Sequence, residues 1–197
     1  MRFTTKAWTA AMMAGLAFAT ACSSPDYIEP NPPSEAPVNP DQQFNQLMQR
    51  PSLEEVVTRY DEMRGKIKER LRVELSLPEW RDEDDTRSYG CESEYPEVDS
   101  HDARRNKFAN SITAQNVTAE QWQTAKMVLG QVGAEYGFTK PGLDIAKPPY
   151  FDVKLTDQYN AELSIATNTQ TVLALTTGCH LLADVKQRGT PAAKPTY

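Results

Sequence analysis

Apolar positions along the chain change their spacing several times, and each spacing predicts a different element. From Leu53 they recur at Val56, Val57, Tyr60, Met63, Ile67, Leu71 and Leu75, the three-and-four rhythm of one helix face. Glu54, Arg59, Glu62, Lys66, Glu69 and Arg72 fill the opposite face, which suits a solvated surface. Ser52 and Glu55 stand at the two positions of a capping box and Pro78 blocks continuation, so a helix is expected to begin after Ser52 and stop before Pro78. A second helix opens at Thr118, whose capping partner is Gln121 and whose hydrophobic staple is Val117 with Trp122. Trp122, Ala125, Leu129, Val132 and Tyr136 give its buried stripe, and Gly137 is placed to end it in a left-handed cap.

Elsewhere the period drops to two. Phe151, Val153 and Leu155 alternate with polar neighbours, Leu163 and Ile165 do the same, and residues 172–177 are rich in strand formers. Asp157-Gln158-Tyr159-Asn160 and Asn168-Thr169-Gln170 supply turns between them. Residues 79–91 read as an extended segment carrying an acidic loop, and residues 104–113 as a further strand with Phe108 and Ile112 facing inward. Pro141, Pro148 and Pro149 read as a broken connection. Together these elements predict an α+β fold: a mostly antiparallel sheet of four to five strands with two helices packed on one face.

The start of the chain follows another rule. Arg2 and Lys6 precede an uncharged apolar stretch, Ala7 to Ala19, too short to span a bilayer comfortably as a helix. Ala19-Thr20-Ala21 then lead into Cys22, an arrangement that resembles the lipobox of bacterial lipoproteins, although alanine stands at position 19 where leucine is commonest. The expectation is a signal peptide over residues 1–21 and a diacylglyceryl group on Cys22, so that the lipid bilayer is the first partner and the extracytoplasmic face of the cell membrane the address. An ordinary secretory signal that happens to precede a cysteine is the alternative. Prolines 25, 30, 32, 33, 37 and 40 make residues 22–44 a tether, residues 45–186 the folded domain, and residues 187–197 a flexible tail.

Composition narrows the field. With 197 residues and 39% hydrophobic content, one modest domain is the sensible count. Removing the signal segment, with its two cations and no acid, takes the net charge from −6 to −8, which leaves no electrostatic footprint for nucleic acid. Outside the cytoplasm, and with Cys22 taken by lipid, Cys91 and Cys179 are expected to form a disulfide; a pair of buried free thiols is the alternative.

Catalytic motifs are scarce: there is no G-x-S-x-G, Walker A loop, C-x-x-C or H-E-x-x-H. His101 beside Asp102 suits an exposed loop, and His180 a position on a sheet face. Asp82, Asp84 and Thr86 have the alternate-oxygen spacing that opens a calcium loop, but Arg87 stands where such a loop turns on glycine and Ser93 where it needs a bidentate glutamate. A glycosidase pair could be drawn from the acidic run Asp82 to Asp85 with Glu92, Glu94 or Asp99, Asp84 and Glu92 for example, as from any acid-rich chain. Asn116-Val117-Thr118 meets the glycosylation sequon, yet Thr118 already caps a helix. No cofactor or metal is expected.

Trp80 with the acidic run Asp82 to Asp85, Cys91, Ala103-Arg104-Arg105, Ala109-Asn110-Ser111, Thr118-Ala119-Glu120 opening a helix that closes in Tyr136-Gly137, and Gly178-Cys179 with Leu181-Leu182 stand in an order that resembles the mycobacterial LppA family of lipoproteins. The resemblance covers about residues 52–182. It implies a membrane-anchored actinobacterial domain and supports the cysteine pairing, and it carries no established activity. The leading expectation is therefore a non-catalytic module that binds an envelope component or another protein. A carrier of an apolar ligand and an envelope glycan hydrolase working through carboxylates are the rivals.

Overall fold

The structure, a computed structural model, describes residues 40–192. Cys22, the signal segment and residues 23–39 lie outside the described residues, as do residues 193–197. The elements in chain order are α1 (Pro40–Met48), α2 (Leu53–Leu75), β1 (Arg81–Glu83), β2 (Arg87–Gly90), β3 (Ala103–Lys107), β4 (Asn110–Thr113), α3 (Ala119–Glu135), β5 (Lys140–Lys147), β6 (Tyr150–Thr156), β7 (Glu162–Thr167), β8 (Thr171–Thr176), β9 (His180–Leu181) and α4 (Ala183–Arg188).

Both capping boxes form. Ser52 Oγ accepts from the Glu55 amide while Glu55 Oε2 accepts from the Ser52 amide at 2.7 Å, and Thr118 and Gln121 repeat the exchange at the start of α3. The end of α3 turns on Gly137, whose φ of +96° suits a residue without Cβ; the Phe138 amide then returns to the Gly133 carbonyl.

Six strands lie in the order β1-β4-β8-β7-β6-β5, with β2 and β9 joined through β3, and every pairing among the described residues is antiparallel. The sheet is thus wider than four to five strands, and four helices accompany it among the described residues. Residues 140–147, read from the sequence as a proline-broken connection, form β5. As an edge strand it tolerates Pro141, beside a register shift, and a cis Pro148-Pro149 bond stands in its turn to β6. The helix α1 begins inside the expected tether, and residues 187–192 are tied down rather than frayed: Arg188 Nη2 reaches the buried Asp102 carboxylate at 2.6 Å and the Ala192 amide reaches it at 2.7 Å.

The segment from β3 to β4 carries one extra residue relative to β8, because Lys107 faces Thr176 while Ser111 faces Leu173. Such a bulge reverses the alternation of faces. Phe108 accordingly joins the core, whereas Ile112, although 2% exposed, lies opposite Arg81 and Val172 on the other face from Ser111. The expectation that both point the same way fails for that reason.

The main core lies between the sheet and α2 with α3. Met63, Ile67, Leu71, Trp122, Leu129, Leu163, Ile165, Leu173 and Leu175 are buried there, and the Trp122 and Phe151 rings stack at 5.3 Å. Each large apolar side chain so buried contributes about 1.5–3 kcal/mol. A smaller cluster gathers Phe44 and Leu47 of α1 with Cys91, Tyr95, Val98, Ala103, Cys179, Leu181 and Val185.

Candidate binding site

Helices cover one face of the sheet. On the other face, alternation brings out Arg87 and Tyr89 from β2, Arg105 and Lys107 from β3, Thr176 from β8 and Glu162 from β7. With Glu94, Asn160 and Thr177 most of these residues line a groove of about 490 Å³. The Tyr89 ring is 43% exposed and sits across the ladder from Arg105. Arg105 leans on Glu94 at 3.4 Å, and Lys154 of β6 holds Glu162 at 2.8 Å, so both carboxylates of the groove are partly answered by cations. Arg87 stands directly opposite Lys107, and neither is paired with a carboxylate among the described residues.

One end of the groove is fixed covalently. Cys91 and Cys179 form a disulfide with Cα atoms 5.9 Å apart, joining the end of β2 to the start of β9. The chain reaches Cys179 through Gly178, where a Cβ would stand 2.0 Å from the Tyr159 carbonyl oxygen, so no other residue fits. Beneath this junction the Arg50 guanidinium lies between the Tyr95 and Tyr159 rings, 5.2 and 5.1 Å from their centroids, and donates to the Cys179 carbonyl at 2.9 Å. Its other nitrogen bonds the Tyr95 hydroxyl.

His180 is not a surface residue of the sheet. It is fully buried, with Nδ1 3.0 Å from the Pro51 carbonyl oxygen and the Tyr159 ring edge-on at 5.3 Å. Burial pushes its imidazole down to about 4; Arg50 and Lys186 add to that shift, while the Pro51 carbonyl and Asp157 oppose it. Nearby, the Tyr60 hydroxyl donates to Asp157 Oδ2 at 2.5 Å, and burial together with that carboxylate holds the phenol well above its usual range. Asp157 Oδ1 accepts from the Tyr159 and Ala161 amides, so this carboxylate shapes the β6–β7 turn.

His101 is in an exposed loop and meets Asp99 at 2.8 Å. The acidic run does not converge. Asp82 Oδ1 accepts from Ser111 Oγ at 2.6 Å and from the buried Arg64 at 3.2 Å; burial raises its carboxyl, but these partners and Lys68 outweigh burial and hold it below the usual range. Asp84 sits exposed in the β1–β2 break with a φ of 67°. Glu83 faces Asn110 and Gly90 faces Arg104, so Asp84 and Glu92 belong to stations about 20 Å apart along the strand. Glycosidase carboxylates stand ~5 to 10 Å apart.

The order of these elements and the disulfide suggest one family, and comparison decides it. The model of the LppA family, described as a lipoprotein confined to pathogenic Mycobacterium, matches residues 29–183. The chain belongs to the LppA family. A crystal structure of LppA from Mycobacterium tuberculosis superposes on this LppA-family chain with a TM-score of 0.63 at 20% identity, over 79% of this chain and 92% of that one. A DUF4853 family protein from Actinomyces odontolyticus ATCC 17982 superposes with a TM-score of 0.51 at 11% identity, over 75% of this chain and 73% of that one. At such identities the likeness concerns the fold. No curated protein matches the sequence. Membership of LppA, a family of lipoproteins, implies a lipid anchor.

Sequence reasoning missed Arg87, Tyr89, Arg105 and Lys107 as a group. The signal was present as two i, i+2 pairs, exposed apart from the half-buried Arg105, but only the register of β2 on β3 shows that they share a face.

Proposed function

We propose that this LppA-family protein is a non-catalytic interaction module, held by a diacylglyceryl group on Cys22 at the extracytoplasmic face of the cell membrane, whose open sheet face binds another component of the envelope. The observation that carries this reading is the groove of about 490 Å³ opening on the face that the helices leave bare. Its size falls within the usual range for ligand sites. The anchor is supported by Ala19-Thr20-Ala21-Cys22, and the compartment by a disulfide of the kind that persists where the surroundings are oxidising. Carriage of an apolar ligand finds less support, since the side chains between helices and sheet pack on one another, as Tyr60 does on Phe138 at 5.0 Å.

Two measurements test the reading. Mass spectrometry of the native protein should find a mature N-terminus at an acylated Cys22; an unprocessed N-terminus removes the anchor. Full-length protein incubated with detergent-solubilised envelope should retain a component that a Tyr89→Ala/Arg105→Ala variant does not. Equal recovery by both would remove the open face from the account.

A further inference from the structure

We propose that the ligand of the open sheet face is an acidic glycan, a carbohydrate chain carrying carboxylate or phosphate groups. The inference rests on the reading above and specifies the chemistry of its partner.

Arg87 and Lys107 carry the argument. They face each other across the β2–β3 ladder with no carboxylate to neutralise either among the described residues. Like charges directly opposite on neighbouring strands are destabilising. Arg105 adds a third cation one step along the same face, in a chain whose net charge is −6. An anion seated between these side chains relieves the repulsion and gains charge-assisted hydrogen bonds.

Arg87 stands beside the groove that Lys107 and Arg105 line, and the other lining residues select what carries the anion. The Tyr89 ring, 43% exposed, offers a flat face to the C–H side of a sugar, and its hydroxyl has no hydrogen-bond partner among the described residues. Asn160 and Thr176 supply an amide and a hydroxyl among the lining residues, which suit ring hydroxyls. Glu94 and Glu162 at the rim accept from sugar hydroxyls and repel a continuous polyanion. A nucleic acid or a planar anionic membrane therefore fits this surface less well than a glycan whose charges are spaced by neutral sugar.

The test uses the full-length lipidated protein in detergent micelles, titrated with oligogalacturonate, with phosphomannan oligosaccharide and with maltodextrin of similar length. At least one acidic oligosaccharide should bind, weaken as salt rises, and exceed maltodextrin at least tenfold. Arg87→Gln/Lys107→Gln should reduce that binding at least tenfold while leaving the thermal midpoint unchanged or raised. Tyr89→Ala should weaken it and Tyr89→Phe should retain most of it. Failure of both acidic oligosaccharides, equal binding of maltodextrin, or unchanged binding by the double variant overturns the proposal. So does retention on phosphatidylglycerol vesicles without glycan binding. If envelope capture still depends on Tyr89 and Arg105 while no acidic glycan binds, only the ligand class falls; if capture is also lost, the open-face reading falls with it.

Discussion

The helix-on-sheet core and the smaller cluster under α1 and α4 are both buried, yet they are held by different means. The first joins long apolar stripes of α2 and α3 to three strands, β6, β7 and β8, and area does the stabilising. The second has few large side chains and is closed by crosslinks: the Cys91–Cys179 disulfide, Arg50 between two tyrosines, Lys186 on the Met48 and Arg50 carbonyls, and Asp102 on Arg188. The difference teaches that the groove's covalent end belongs to the region whose burial alone is least able to support it.

The largest expected effect separates the two directly. Cys91→Ala/Cys179→Ala releases a loop of 88 residues, and the chain-entropy estimate puts the loss at ~4 to 5 kcal/mol. Amide exchange should rise in α1 and α4 before α2 and α3; a uniform rise would mean that the two clusters unfold as one. Next, Trp122→Ala removes the largest buried ring of the first core and should cost about 3–5 kcal/mol in urea unfolding, with exchange rising in α3 and β6.

Acid should act on the second cluster. His180 has a folded pKa of about 4 against 6.5 when unfolded, so the unfolded chain takes up the proton first. Its contribution is complete above pH 6.5 and is lost as pH falls toward 4, on the order of 3 kcal/mol. Thermal midpoints across that window should show the slope, and His180→Gln should flatten it; an unchanged slope would assign acid sensitivity to the carboxylates instead. The smallest effect is that of Lys186→Met, which leaves the Met48 carbonyl without its ammonium partner at 2.8 Å. A loss of about 1.5–2 kcal/mol, read from the urea midpoint, is expected.

How much of this was legible in the sequence depended on the range of the interaction. The capping boxes at Ser52 and Thr118 and the stripes that follow are local, and they gave both long helices nearly to the residue. β5 was hidden because Pro141 and Pro148 break a helix but not an edge strand. α1 was hidden among prolines, since its only marks are Phe44 and Leu47, whose burial comes from distant Val185 and Leu181. The groove was least legible of all. Its side chains come from β2, β3, β7 and β8, and nothing local sets their register. The cysteine pairing was accessible because counting thiols needs no geometry.

The irregularities in neighbouring strands compound one another. The β3–β4 segment needs one more residue than β8 to cover the same ground, and the β1–β2 segment needs one more than β3–β4, since Glu83 faces Asn110 while Arg87 faces Lys107. Like lanes round a corner, each lies farther out and must be longer. That corner of the molecule cannot be flattened against a second strand without shedding a residue from every lane, so the curved border is a poor template for fibril growth at a crowded surface.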